Sequence, residues 1–343
     1  GRDIPLDAVH PALFPFQRDL VRWAVRKGRA ALFADTGLGK TRMQVEWARL
    51  IGGRTLIAAP LSVARQTVRE AEKIGVTVRY VRNPADVTDG ISITNYELID
   101  RFDASVFDAV VLDESSILKA LDGTTRQRLT EMFAETPYRL ACTATPAPND
   151  IAEIANHAEF LGVMRRVEML ASFFIHDDAG WRLKRHAETA FYRWMASWAM
   201  SVRRPSDLGY SDDGYALPPL TVSPLWVESD YVPEGQMFFT ALKGIQGRTA
   251  VRKGTLDQRV AAAAALVNAD DQPWIVWCGL NDESDALAAA IPGAVVVEGA
   301  MAPDEKAARI EAFQDAQHRV LITKPKIAGF GMNFQHCARM VFV

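Results

Sequence analysis

Residues 34–41 read Ala34-Asp35-Thr36-Gly37-Leu38-Gly39-Lys40-Thr41, with the apolar run Arg29-Ala30-Ala31-Leu32-Phe33 before them and a helix-like stretch from Arg42 to Ile51 after them. Strand, glycine-rich turn, Lys-Thr and helix, in that order, make a phosphate-binding loop. Glycines at 37 and 39 let backbone N–H groups turn inward around an anion. The helix that follows points its positive end at the same place. Lys40 has the reach for β and γ phosphates, and the Thr41 hydroxyl suits Mg²⁺. Thr36, Gly37, Leu38, Gly39, Lys40 and Thr41 are therefore the nucleotide-binding candidates. Ala34 stands where such loops usually begin with glycine.

A chain of 343 residues, 49% hydrophobic and 24% charged, has material for two ordinary cores. A net charge of −3 excludes a general basic coat, so any polyanion site must be a local groove. Cys142, Cys278 and Cys337 form no C-x-x-C pair, which argues against a disulfide framework or a zinc site and suits a reducing cytoplasm. No apolar run has bilayer length and no secretory signal opens the chain, so neither a membrane partner nor export is expected. The chain starts at Gly1 rather than Met and stops at Met340-Val341-Phe342-Val343, a buried-strand pattern. A piece of a longer protein is the expectation.

From 29 to 145, apolar strand candidates (Ala30–Ala34, Thr55–Ala59, Val76–Val81, Ile91–Thr94, Ala109–Leu112, Arg139–Thr143) alternate with helical stretches such as Ser62–Ile74 and Thr124–Glu135. Continuous apolar strands suit a parallel sheet with helices on both faces, and ligands then lie at the carboxyl ends of the strands. Residues 151–215 read as a helical insertion ending in a Gly/Asp/Ser-rich linker. A second α/β pattern follows in 216–343, with strands at Trp274–Cys278, Ala294–Glu298, Val320–Thr323 and Arg339–Val343. The expected architecture is α/β, two doubly wound parallel-sheet domains (1–150 and 216–343) separated by the 151–215 insertion.

Val110-Val111-Leu112-Asp113-Glu114 is an apolar strand ending in two acids. Beside a phosphate loop this is a Walker B pattern, with Asp113 for Mg²⁺ and Glu114 to orient or deprotonate water. Glu114, Lys40 and Asp113 are the catalytic candidates, and Thr41 and Asp113 the metal candidates. Upstream, Phe14-Pro15-Phe16-Gln17 offers an amide that carries donor and acceptor together, as an adenine edge requires.

The order of these motifs resembles the superfamily 2 helicases, most closely their Swi/Snf-like branch. Gln17 is similar to the Q motif, Asp35–Thr41 to motif I, Ala58-Ala59-Pro60-Leu61-Ser62 to motif Ia and Ile93-Thr94-Asn95-Tyr96-Glu97 to motif Ib. Asp113-Glu114-Ser115-Ser116 sits at motif II, Cys142-Thr143-Ala144-Thr145-Pro146 at motif III, Val276-Trp277-Cys278-Gly279 at motif IV and Gly329-Phe330-Gly331-Met332-Asn333-Phe334-Gln335 at motif V. Glu298-Gly299 resembles the motif between the last two. The D-E-S-S spelling is similar to phage or prophage members, and the likeness covers almost the whole chain.

The resemblance implies two RecA-like domains, ATP and Mg²⁺ as cofactors, and a nucleic-acid partner, double-stranded DNA above all, with a further protein supplying specificity. It implies coupling roles for Thr143 and Thr145 and nucleotide contact for Gly329 and Gly331. Nucleic-acid contact falls to Pro60, Ser62, Thr94, Tyr96, Gly279, Thr323, Asn333 and Gln335. Two departures stand out. Ser115 and Ser116 replace the Ala-Asp or Ala-His of other branches, and a hydroxyl there has motif III as its expected partner. Motif VI, which carries the arginine finger, is not in the chain, and Arg339 falls before its position. Since such a finger contributes about 10³ to 10⁵ in rate, ATP binding with poor turnover is expected of these residues. The reading is an ATP-dependent motor, a duplex translocase before a strand-separating helicase, with an ATP-gated clamp as the non-enzymatic alternative.

Outside the motifs, Arg182, Lys184, Arg185, His186, Arg203 and Arg204 form one basic cluster and Lys243, Arg248, Arg252, Lys253 and Arg259 another. Each reads equally as a phosphate-contacting groove or a solvated face. Trp181, Trp194 and Trp198, at helical spacing, read as core before base-stacking platforms. The six histidines show no metal-ligand spacing.

Overall fold

A computed structural model describes residues 1–119, 124–178, 180–216, 218–228, 250–329 and 331–343. The chain divides into two compact units, Gly1–Pro218 and Pro219–Val343.

Unit 1 is built on a seven-stranded parallel sheet in the order β3-β4-β2-β5-β6-β1-β9. Its strands are β1 (Arg29–Ala34), β2 (Arg54–Ala59), β3 (Val78–Tyr80), β4 (Gly90–Asn95), β5 (Ala109–Asp113), β6 (Tyr138–Cys142) and β9 (Ala199–Val202). Five consecutive buried residues end β1 and β2, and all five of β5 are buried, because both sheet faces are covered by helices. Those helices include α1 (Pro15–Lys27), α2 (Lys40–Ile51), α3 (Leu61–Glu72) and α4 (Thr124–Met132). β5, β6 and β1 lie side by side, with Asp113 opposite Cys142 and Leu32 opposite the same residue. Three strand ends therefore converge: the acids of β5, Thr143 after β6 and the glycine loop after β1.

Residues 151–215, read from sequence as a helical insertion, also carry strands. α5 (Ile154–Phe160), α6 (Arg166–Phe173) and α7 (Glu188–Ala196) are present, but β7 (Phe174–Asp177) and β8 (Gly180–Leu183) form an antiparallel hairpin. β9 adds to the edge of the main sheet, pairing Ala31 with Ala199 and Ala34 with Val202. Four-residue strands are too short for an alternation signal, so the many aromatics of this stretch dominated the sequence pattern. Those aromatics are core: Trp198 and Phe191 are buried with Phe33 and Phe160, and Trp181 and Trp194 pack against them.

Unit 2 carries a four-stranded parallel sheet, order β11-β12-β10-β13, from β10 (Trp274–Trp277), β11 (Val295–Val297), β12 (Val320–Thr323) and β13 (Arg339–Phe342). α8 (Leu256–Val267) and α9 (Asn281–Ala290) pack on one cluster with Val276 and Ile322; α10 (Pro303–Gln314) packs on another with Ile275 and Leu321. Among the described residues no helix is long and apolar enough to cross a membrane.

Candidate active site

The loop after β1 closes on itself. Gly37 and Gly39 have φ of 85° and 79°, a left-handed backbone that side chains oppose, and Gly39 caps α2. Thr36 N–H donates to Asp35 Oδ1 at 2.7 Å. Lys40, first in α2, donates Nζ to the carbonyls of Ala34 (2.9 Å) and Asp35 (3.3 Å), so its ammonium lies inside the loop. Thr41, the next helical residue, is half-buried beside it. A left-handed glycine turn with a lysine ammonium inside it, leading into a helix N-terminus, is a geometry suited to an anion.

Gln17 is tied to the phosphate loop. It is buried, its Oε1 accepts from Phe14 N–H (2.9 Å) and its Nε2 donates to the Leu38 carbonyl inside the loop (2.8 Å). A Cβ on Gly39 would collide with this amide. One amide N–H and the amide oxygen thus brace the loop.

Across β6, Asp113 ends β5 almost fully buried. Its Oδ2 accepts from Gln44 Nε2 (2.8 Å) and its Oδ1 from Glu114 N–H (2.9 Å). Burial raises its pKa; the Gln44 hydrogen bond, the Lys40 charge and the Glu114 N–H pull it back. Glu114 has φ of 49°, one of two non-glycine residues with positive φ among those described. Burial and then the Asp113 charge raise its pKa, which Lys40 opposes, moving this carboxylate toward the range of a useful general base. Such backbone strain persists only where surroundings hold it. Here Tyr96 Oη donates to the Asp113 carbonyl at 2.6 Å, Ile117 N–H donates to the Glu114 carbonyl at 3.2 Å, and Ser115 Oγ shares a 3.1 Å hydrogen bond with His157 Nε2.

Ser115 thus engages α5 rather than motif III. Thr143 is buried and its Oγ1 accepts from Thr145 N–H (3.1 Å), a bond within its own turn. Burial holds the His157 pKa down at about 4, so the ring is neutral, packed edge-on to Phe33 at 5.2 Å.

The residues expected at nucleic acid separate into two sets. Pro60 and Ser62 are half-buried at the start of α3, and Gly279, Asn333 and Gln335 are exposed. Thr94, Tyr96 and Thr323 face inward: Thr94 Oγ1 donates to the Val81 carbonyl (2.9 Å), Thr323 Oγ1 to the Val297 carbonyl (3.1 Å), and Tyr96 to Asp113. Their hydroxyls are used by the fold. Gly329 is exposed, with Pro325 O against its Cα face, and Gly331 has φ of 69°; Phe330 lies outside the described residues.

The basic clusters are also partly committed. Arg252 and Arg259 converge on the buried Glu283, Arg252 Nη2 at 2.8 Å and Arg259 Nη1 at 2.9 Å, while Glu283 Oε2 accepts from Gly279 and Leu280 N–H. Lys243 and Arg248 lie outside the described residues. Arg182 pairs with Asp177 (2.8 Å) and Lys184 Nζ donates to the Ala171 carbonyl, leaving Arg185, His186 and Arg203 on the surface.

Gln44 and His157 were not found by sequence reasoning. Gln44 was within reach of it, since it lies one helical turn after Lys40 on α2 and shares its face. His157 has no such signal, because only the fold brings it to Ser115.

No known protein-family profile matches the chain. A SWI/SNF-related matrix-associated actin-dependent regulator of chromatin subfamily A-like protein 1 from Xenopus tropicalis is 30% identical over 164 residues, covering 41% of this chain and 16% of that protein. The DNA annealing helicase and endonuclease ZRANB3 of Bos taurus is 26% identical over 167 residues, 41% of this chain and 15% of that protein. The Sulfolobus solfataricus SWI2/SNF2 ATPase core in complex with dsDNA aligns over 100% of this chain and 84% of its own, with TM-score 0.53 and 15% identity. The chain has the fold of an SWI2/SNF2 ATPase core, and over 41% of its length it is similar to SWI/SNF-related proteins. Two parallel sheets of seven and four strands suit the two RecA-like domains of such cores. This SWI2/SNF2-like chain spans under a fifth of the length of the curated relatives it matches.

Proposed function

We propose that this chain is the ATP-hydrolysing core of a nucleic-acid motor that moves along double-stranded DNA. The observation that carries the reading is the meeting of Lys40, in its closed glycine loop, with Asp113 and Glu114 at the end of β5, two strands away in one parallel sheet. A triphosphate on the loop N–H groups and the α2 N-terminus places its γ-phosphate near Lys40, which neutralises charge that builds during transfer. Thr41 and Asp113 would hold Mg²⁺, which supplies further charge neutralisation at the phosphates. Glu114, its pKa raised and its backbone fixed, takes the proton of the attacking water. Pro60, Ser62, Gly279, Asn333 and Gln335, none of them fully buried, are the proposed nucleic-acid contacts. Duplex DNA as the track is supported by the dsDNA in the Sulfolobus core's complex.

The test is ATPase activity with and without duplex DNA, single-stranded DNA and RNA, beside Glu114→Gln. Duplex stimulation that the variant abolishes supports the motor. Stimulation by single strands alone makes it a strand-separating helicase. ATP bound tightly but never hydrolysed, with any nucleic acid, overturns the enzymatic reading.

A further inference from the structure

His157 stands behind the candidate active site, on a helix outside the motifs read from the sequence. It is buried in α5, and its Nε2 lies 3.1 Å from Oγ of Ser115, the residue that follows Glu114. Its ring also meets Phe33 edge-on, with centroids 5.2 Å apart at 80°. Phe33 comes one residue before Ala34, whose carbonyl accepts from Lys40 Nζ. One side chain therefore touches the two strand ends that carry the ammonium and the carboxylate of the site. Phe33 is backed in turn by Trp198 at 6.3 Å and 86°, and Asp35 N–H donates to the Val202 carbonyl at the end of β9 at 2.9 Å. The stretch from α5 to β9 grips the site from behind. Glu114 needs such a grip, because its φ of 49° is a left-handed backbone that a glutamate does not favour by itself. Tyr96 holds the residue before it through the Asp113 carbonyl. The Ser115 hydroxyl holds the residue after it, and that hydroxyl goes to His157.

We propose that His157 is a positioning residue for hydrolysis. Through Ser115 it holds Glu114 in the turn from which the carboxylate meets the attacking water, and through Phe33 it keeps that turn in register with the phosphate loop. The proposal rests on the reading of Glu114 as the general base. Ser115 and His157 are both buried, so neither offers a group to the nucleotide, and their effect on turnover passes through Glu114. A buried hydroxyl–imidazole pair adds little net stability over an apolar pair of the same shape. What it adds is direction, since the hydrogen bond holds the Ser115 side chain at one angle. Burial keeps the ring neutral against the pull of the Glu153 and Ser115 carbonyls, so one ring nitrogen accepts and the other donates.

Single-turnover ATP hydrolysis, with the nucleic acid that stimulates wild type most, is measured beside equilibrium ATP binding. The proteins are wild type, Ser115→Ala, His157→Leu, the double variant and His157→Gln, each checked by its melting temperature. Ser115→Ala removes a single oxygen and keeps the test decisive should His157→Leu fail to fold. Ser115→Ala and His157→Leu should each hydrolyse bound ATP about tenfold more slowly, with ATP affinity within about twofold of wild type. The double variant should be no slower than the slower single variant, because both remove the same link. His157→Gln, whose amide can reach Ser115, should recover most of the rate. A wild-type rate in Ser115→Ala overturns the positioning role alone, as do a joint fall of rate and affinity or losses that multiply in the double variant. A wild-type protein that binds ATP and never hydrolyses it, with any nucleic acid, overturns the general-base reading itself.

Discussion

The hydroxyl of Tyr96, the residue after β4 (Gly90–Asn95), donates to the main-chain carbonyl of Asp113, at the end of β5, across a buried 2.6 Å hydrogen bond. It therefore holds the peptide that precedes the left-handed Glu114. Burial and the nearby charges of Asp113 and Glu114 raise the Tyr96 pKa well above the ordinary value, so the phenol stays a donor at any working pH. Tyr96→Phe removes that donor and keeps the ring. A stability loss of about 1 kcal/mol is expected, with the larger effect on turnover: kcat should fall while ATP affinity is kept. Single-turnover rates beside equilibrium ATP binding check this. A variant with wild-type kcat would show that the Glu114 geometry does not need the clamp.

Gln17 is bonded to the loop through the Leu38 carbonyl. Gln17→Ala removes the brace on the Leu38 carbonyl, and affinities for ATP and for tripolyphosphate should fall together. Parallel titrations of the two ligands decide it, because a base-reading glutamine would spare tripolyphosphate.

The neutral His157 gives stability a pH dependence. Its pKa is about 4 in the folded chain against an ordinary 6.5, so between those values the unfolded chain binds the extra proton. Stability is thus lost as pH falls from 6.5 toward 4, by about 3 kcal/mol over the full window. Glu114 works in the opposite sense. Its raised pKa makes the folded chain the better proton binder, so its cost to stability grows as pH rises. Urea unfolding at pH 7.5 and 5.0 of wild type and His157→Gln isolates the histidine. The variant should lose less stability on acidification than wild type.

Glu114→Gln removes a carboxylate whose ionised form is disfavoured by burial and by Asp113. The variant should melt higher than wild type at pH 7, and the gain should shrink as pH falls from the raised folded pKa toward the ordinary glutamate value, where folded wild-type Glu114 is protonated too. Calorimetric melts across that range measure it.

Glu283 supports unit 2. Its side chain is inaccessible and receives Arg252, Arg259 and two backbone N–H groups. Those N–H groups and the two arginines lower its pKa against the effect of burial. Glu283→Ala leaves the arginine charges without a partner and should cost about 3–5 kcal/mol in this unit. The loss should appear in the melting of unit 2, with nucleotide affinity of unit 1 as the control.

Much of this architecture is local in origin. The strand and helix runs of both sheets follow from apolar periodicity, and the glycine loop from residues whose special backbone angles are written in their identity. Asp113 and Glu114 were legible because an apolar strand ending in acids sits in the same chain as that loop. β7, β8 and β9 were not legible, since four residues carry too little pattern and β9 gains its place only by pairing with β1.

The sequence by itself determined the phosphate loop, the acidic strand end and the parallel-sheet class, because each depends on spacing among near neighbours. Only the tertiary structure decided what the polar side chains do. Gln17 braces the loop, Tyr96 clamps Asp113, His157 meets Ser115, and Arg252 and Arg259 neutralise Glu283. The physical reason is that a buried donor or acceptor must find a partner wherever the fold provides one, and that partner is set by packing across the chain rather than by neighbours along it.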